Sequence, residues 1–130
     1  KEYRRQRQMC IRDSSIPDLF AREGEEGFRV REHRVLCQLS RQSGQIIACG
    51  GGIVTRQENW DPMRQNPTVI YLRRDLALLP TSGRPVSQAT PVEELYHRRA
   101  PLYEKLADLT VDNHGTPKET AEEIIRRLAL

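Results

Sequence analysis

The sequence has few cysteines, few aromatic residues and no long apolar run. Its three cysteines, Cys10, Cys37 and Cys49, form no CxxC pair, which argues against a disulfide framework or a structural zinc site and favours a reducing cytoplasm. No stretch approaches the roughly 20 consecutive apolar residues of a membrane helix, and the amino terminus lacks the apolar core of a secretion signal. We therefore expect one small domain in these 130 residues, without a membrane partner.

Positive charge is concentrated at the amino terminus. Residues 1–14 contain five basic and two acidic residues, so that removing them from the totals of 21 and 18 leaves 16 residues of each sign in residues 15–130. The remaining arginines mostly lie close to Asp or Glu, as they do on solvated helix faces. Because the body of the chain is balanced in charge, we expect no nucleic-acid partner.

Strands alternate with helices along residues 15–130, which indicates an α/β layered domain with a parallel sheet. Residues 1–14 have no apolar period and are interpreted as a non-native or disordered tail. Three apolar runs predict strands, the first two of them covered on both faces, at residues 46–49, 68–72 and 109–112. A short helix is predicted from Ser15 to Gly24, and a longer one follows it and ends near residue 43. Further helices are predicted over residues 56–65 (weakly), 92–99 and 101–107, and a last one begins at a capping box at Thr116.

Several motifs with a known chemistry are missing from the sequence. Neither GxxxxGK[ST] nor GxGxxG occurs, so the chain has no recognisable phosphate-binding loop of these types. The three histidines, His33, His97 and His114, lack metal-binding spacing and have polar neighbours, so we expect them on the surface and expect no metal ligands. Cys37 and Cys49 lie on apolar elements, where packing residues are more common than nucleophiles.

Glycine and arginine are the residue types that point to a ligand. Gly50, Gly51 and Gly52 follow the first predicted strand, where glycines let a carboxylate or phosphate approach the backbone N–H groups, although a tight turn explains the same run. Arg29, Arg84 and Arg99 lie on three different segments. Each of these arginines taken alone is typical of a solvated surface.

The sequence motifs around these residues resemble those of the shikimate kinase family. The similar segments cover residues 15–130 in the family's order; they are FAREGEEGFRVRE (20–32), IIACGGGIV (46–54), TVIYL (68–72), SGRPVSQ (82–88) and RRAPLYEKLADLTVD (98–112). The resemblance implies an α/β, three-layer, parallel-sheet P-loop kinase-like fold of the nucleoside-monophosphate-kinase type. It also implies transfer of the ATP γ-phosphoryl group to the 3-hydroxyl of shikimate, with Mg2+, in the synthesis of chorismate and aromatic amino acids.

The resemblance also implies a role for individual residues. Arg29 and Arg99 match arginines that bind the shikimate carboxylate, and Gly50, Gly51 and Gly52 match glycines that line the substrate site. Glu32, one helical turn after Arg29, matches an acidic residue that orients that arginine. Arg84 matches a lid arginine that binds the nucleotide phosphates and stabilises transition-state charge, a catalytic role.

The sequence departs from the family at its amino-terminal side. Family members begin with a strand, a phosphate-binding loop, a helix and a second strand, and no segment of this sequence matches them. We therefore expect the chain to be the carboxyl-terminal part of a longer kinase, alone or fused to another enzyme of the pathway, and to be inactive as it stands. The alternative is a non-catalytic kinase-like module that binds a small carboxylate. On either view, the family's central strand is expected to be missing between residues 46–49 and 69–72, which would leave strand edges prone to association.

Overall fold

The strands of the described part of the chain form two separate parallel pairs. A computed structural model describes residues 4–6, 16–74 and 91–129. Strand β1 (Arg4–Gln6) pairs with β2 (Gln45–Ile47), and β3 (Ile70–Arg73) pairs with β4 (Leu109–Asp112). Among these residues no hydrogen bonds join β2 to β3, so the sheet is divided between its second and third strands in chain order.

The three strands expected from the sequence are present, but their surroundings differ from the expectation. The prediction that the first two strands are covered on both faces was wrong, because Ile46 is 54% exposed and Leu72 is 47% exposed. Val111 on β4 is buried. The apolar run is sufficient to form a strand, whereas coverage depends on neighbouring elements that the described residues do not place over Ile46 and Leu72.

Strand β1 was not expected, since residues 1–14 carry no strand or helix pattern. Arg5 lies opposite Ile46 in a parallel register. Backbone hydrogen bonds to a neighbouring strand require no particular side chains, so a short edge strand can form without alternating apolar residues. The other residues of the segment interpreted as a tail lie outside the described part of the chain.

Helix α1 (Ile16–Leu39) is divided by a glycine, as the sequence predicted. Gly24 has φ 71° and ψ −176°, a conformation that favours glycine because it has no Cβ. Beyond Gly24 the helix buries Phe28 and Leu36 on one stripe, and Leu19 is buried before it. The helix ends before a turn at Gly44, which also has positive φ.

The apolar core joins α1 to the residues that follow β2. A 3₁₀ helix (Gly51–Thr55) and a second 3₁₀ turn (Gln57–Asn59) lead into the short helix α2 (Trp60–Gln65). The buried core residues come from these elements and from the next helix; they are Leu36, Ile53, Val54, Met63 and Leu106. This packing holds the glycine run, residues 50–52, against α1.

Helix α3 (Val92–Leu106) is continuous, which corrects the expectation of two helices separated at residue 100. Pro101 lies inside it. Proline has no N–H to donate to the carbonyl four residues earlier, which is why the sequence indicated a break. Buried residues on both sides of Pro101, Leu95 and Leu106, anchor the two halves of the helix in the protein.

Helix α4 (Pro117–Leu128) begins at the predicted cap. Thr116 accepts a hydrogen bond from the Glu119 backbone N–H at 3.2 Å, and Pro117 occupies the first turn, where its missing N–H costs nothing. None of the helices in the described ranges is both long and apolar enough to cross a membrane.

The exposed apolar strand residues predict that the chain self-associates. Strands β2 and β3 each have a single hydrogen-bonded neighbour among the described residues, and they expose Ile46 and Leu72. We expect the weight-average mass in sedimentation equilibrium to rise with concentration, and Ile46→Lys or Leu72→Lys to lower it. The matched control is Val30→Lys, which changes a similarly exposed side chain on α1. A chain that is monomeric at all concentrations, or a control with the same effect, would contradict this prediction.

Candidate functional site

The side chain of Arg29 is buried although its charge is permanent. Its residue exposure is 4%. Nη1 donates to Glu32 Oε1 at 2.8 Å, and Nη2 lies 3.7 Å from Glu25 Oε1. The third nitrogen, Nε, is buried and has no hydrogen-bond partner among the described residues. The buried guanidinium therefore keeps its Nε donor unused, and buried donors normally have a partner.

Within the glycine run, residue 52 is the position most tightly constrained by the side chain packed against it. A Cβ built on Gly52 would lie only 2.1 Å from Arg29 Nη2, so a residue with a side chain cannot occupy this position while the guanidinium stays in place. A Cβ on Gly50, by contrast, would lie 3.9 Å from its nearest neighbour, Glu32 Oε2. Close approach of the guanidinium to the backbone is thus the physical reason for glycine at residue 52.

Arg99 and Tyr103 reach the same glycine run from α3. A Cβ on Gly51 would lie 2.6 Å from the Tyr103 hydroxyl and 3.5 Å from Arg99 Nη1. The Tyr103 hydroxyl donates to the Gly51 carbonyl at 2.7 Å. Burial raises the pKa of Tyr103, and the nearby charges of Arg99 and Arg29 offset part of that increase. Both guanidinium groups therefore act on one phenol, which places them around the same short segment.

This arrangement is suited to an anion. Two arginines from different helices approach residues 51 and 52, and a guanidinium can bind a carboxylate or phosphate through two parallel hydrogen bonds. Within the described ranges no group of three His, Cys, Asp or Glu side chains could hold a metal ion. The structure brings together Arg29, Glu32, Gly50, Gly51, Gly52 and Arg99, whereas Arg84 lies outside the described residues.

Two residues of this cluster were not identified as site residues from the sequence. Tyr103 follows Arg99 by four positions, so the two share a helix face, and this spacing was the available signal. Glu25 precedes Arg29 by four positions and gave the same signal. Pairs at this spacing are so common on exposed helix surfaces that the pattern alone does not distinguish them.

The histidine and cysteine expectations need two corrections. His33 is half-buried, not on the surface, because its Nδ1 lies 2.7 Å from Oδ1 of the fully buried Asn59. Cys37 is half-buried beside His33, in keeping with a packing role. Cys49 is exposed, because β2 ends at Ile47 and the following residues leave the sheet. Even so, partial burial and the Glu32 carboxylate raise the pKa of the Cys49 thiol to about 11.

Comparison with solved structures identifies the class of fold. A shikimate kinase from Acinetobacter baumannii, in complex with shikimate, superposes with a TM-score of 0.82 at 31% identity, over 89% of this chain and 70% of that one. A shikimate kinase from Aquifex aeolicus superposes with a TM-score of 0.74 at 28% identity, over 88% of this chain and 72% of that one. The described residues therefore form part of an α/β P-loop kinase fold, as the family resemblance implied.

Sequence comparison identifies the family. The family model for shikimate kinase matches residues 10–129, and a shikimate kinase from Dehalococcoides mccartyi is 42% identical over 123 residues, which cover 88% of this chain and 70% of that protein. A shikimate kinase from Thiobacillus denitrificans is also 42% identical, over 75% of this chain and 58% of that protein. The chain belongs to the shikimate kinase family. It is a partial-length match to these relatives.

The geometry at the glycines predicts different outcomes for two alanine substitutions. Gly52→Ala should lower the free energy of unfolding by about 1–3 kcal/mol, because its Cβ overlaps the Arg29 guanidinium. Gly50→Ala should change it by less than about 0.5 kcal/mol, since its Cβ meets nothing closer than 3.9 Å. Urea unfolding at concentrations where the chain is monomeric measures both values. Equal effects of the two substitutions would contradict the placement of Arg29.

Proposed function

We propose that this chain provides the shikimate-binding part of an ATP-dependent kinase that phosphorylates the shikimate 3-hydroxyl. The observation that carries the proposal is the buried Arg29 guanidinium, which packs against Gly52 and retains an unpaired Nε donor. Shikimate carries one carboxylate on a rigid polyol ring, and a buried arginine offers a fixed partner for that carboxylate. Membership of the shikimate kinase family supports the same substrate.

In this proposal, Arg29 and Arg99 both bind the carboxylate. Glu32 holds Nη1 of Arg29 at 2.8 Å and so fixes the plane of the guanidinium before a ligand arrives. Arg99 approaches the neighbouring glycine, Gly51, from α3. A hydrogen bond to a charged group contributes about 1.5–3 kcal/mol, so two such arginines are enough to orient a small ligand.

The nucleotide side of the reaction depends on Arg84 in this proposal. The family's enzymes use ATP together with Mg2+, which neutralises phosphate charge when it is bound. The described residues contain no acidic cluster for a metal ion, and the sequence contains no GxxxxGK[ST] motif, so we assign no metal ligand in this chain. We assign to Arg84 the binding of the nucleotide phosphates, by resemblance to the family's lid arginine. The three cysteines of the sequence form no CxxC pair, which agrees with a reducing cytoplasm as the location.

A second candidate function is a module that binds a small carboxylate without transferring phosphate. The same pair of arginines favours it, because binding a carboxylate requires no group that handles ATP. The two candidates differ in what they require of Arg84. A carboxylate-binding module has no use for a lid arginine, whereas a kinase loses turnover without one.

Substitution of the two arginines tests the carboxylate site. Arg29→Ala and Arg99→Ala should each weaken shikimate binding to the chain by about tenfold or more, because each removes a charge-assisted hydrogen bond. Arg29→Lys and Arg99→Lys should restore only part of the affinity, because an ammonium group cannot form the two parallel bonds of a guanidinium. Isothermal titration calorimetry gives the dissociation constants.

Arg98→Ala is the matched control for these variants. Arg98 neighbours Arg99 in sequence, but its exposed side chain pairs with Glu94. Its removal should leave shikimate binding unchanged. If the Arg29 and Arg99 alanine variants also bind shikimate like the unsubstituted chain, the assignment of the carboxylate site is wrong.

Substitution of Arg84 tests the kinase reading against the binding-module reading. The test protein is a hybrid in which the amino-terminal part of the Dehalococcoides mccartyi relative precedes residues 15–130 of this chain. A coupled assay then follows the ATP-dependent phosphorylation of shikimate. Arg84→Ala should lower kcat by about 10³-fold if the residue acts on transition-state charge, with a much smaller change in shikimate KM. Normal turnover in this variant would assign Arg84 to the surface, and a hybrid without any turnover would favour the binding module.

A further inference from the structure

Tyr103 is the one uncharged side chain with a polar contact to the glycine run from α3. Its hydroxyl donates to the Gly51 carbonyl at 2.7 Å, across 52 positions of sequence. Arg99 lies beside the same hydroxyl, since a Cβ built on Gly51 would lie 2.6 Å from the Tyr103 hydroxyl and 3.5 Å from Arg99 Nη1. The Arg99 guanidinium lowers the pKa of Tyr103 and so offsets part of the increase caused by burial. A tyrosine hydroxyl has one donor and two acceptor sites, so it can hold a carbonyl and a guanidinium at once.

The ring of Tyr103 is itself held in place. Its centroid lies 5.0 Å from that of Tyr71 on β3, at an angle of 37° between the planes. The ring also packs against the buried core that includes Leu36 and Ile53. A hydroxyl on a ring fixed in this way has few alternative positions, because the ring's two side-chain torsions are restricted by packing.

Arg99, in contrast, is a long side chain on a helix surface. Four rotatable bonds would allow its guanidinium to leave the glycine run. A ligand that binds a freely moving guanidinium loses affinity, because fixing the side chain costs conformational entropy. The contact with Tyr103, four residues later on the same helix face, limits this freedom. Tyr103 thus holds the Arg99 guanidinium beside Gly51 before a ligand binds.

We propose that Tyr103 is a positioning residue for the ligand carboxylate, acting through Arg99 without needing to touch the ligand, while its bond to the Gly51 carbonyl fixes the hydroxyl beside that guanidinium. The inference rests on the proposed function, because the carboxylate is that of shikimate. Burial raises the pKa of the Tyr103 hydroxyl, so its donor to Gly51 is kept throughout the neutral range. The class of ligand that benefits is a small carboxylate bound beside residue 51.

A double-substitution cycle tests this inference. Tyr103→Phe removes the hydroxyl and keeps the ring, and we expect it to weaken shikimate binding by about tenfold in calorimetry. In a chain that already carries Arg99→Ala, the same substitution should weaken binding less than threefold further, because its effect passes through Arg99. If Tyr103→Phe merely disturbed the structure, its fold-loss of shikimate affinity would be the same with and without Arg99→Ala.

Tyr71→Phe provides the matched control. It removes the hydroxyl of the ring stacked on Tyr103, keeps the stack and should leave binding unchanged. If Tyr103→Phe does not fold by circular dichroism, Gly51→Ala replaces it in the cycle, because its Cβ would overlap the Tyr103 hydroxyl from the opposite side. The same coupling to Arg99 is then expected.

The outcomes separate this inference from the function on which it rests. If Arg99→Ala leaves shikimate binding unchanged, the proposed carboxylate site fails. If Arg99→Ala weakens binding while Tyr103→Phe does not, or if the two effects multiply, only the positioning role of Tyr103 is overturned. Weakening by Tyr103→Phe that disappears in the Arg99→Ala chain supports both.

Discussion

The burial of one guanidinium is the constraint on which the candidate site depends. Arginine keeps its charge in any environment, and removing that charge from water costs several kcal/mol unless close partners replace the solvent. Glu32 supplies such a partner at 2.8 Å, with a side chain that is itself only 12% exposed. Because Arg29 occupies the space beside residue 52, a side chain at that position would push the guanidinium away from its partners. The 3₁₀ helix after β2 therefore packs on α1 at a distance that this side chain sets.

The elements that the sequence predicted well are those with local causes. The glycine break in α1, the cap at Thr116 and the strand at residues 109–112 each follow from residues within a few positions of one another. The exposure of Ile46 and the strand at residues 4–6 could not be predicted in this way. Both depend on which distant segment lies beside a strand, and periodicity carries no information about that.

The site shows the same division between local and distant causes. The pair of Arg29 with Glu32 follows from helical spacing, whereas its contact with Gly52 joins residues that are 23 positions apart in sequence. Motif resemblance brought Arg29, Arg99 and the glycines to attention, because a family pattern records contacts that spacing cannot. Tyr103 belongs to the same motif, yet its spacing from Arg99 does not reveal the partner of its hydroxyl, which lies 52 positions away.

Pro101 gives helix α3 a mechanical property at the level of the site. Since proline donates no hydrogen bond, the carbonyl of His97 loses its partner in the ladder, and the turn that carries Arg99 is held by one bond fewer than the turns around it. Leu95 and Leu106 fix the helix in the core on either side. Bending is therefore easiest between these two anchors. Arg99 lies in this weakened turn, so a ligand that draws its guanidinium closer meets less resistance from the backbone there than it would in an uninterrupted stretch of helix.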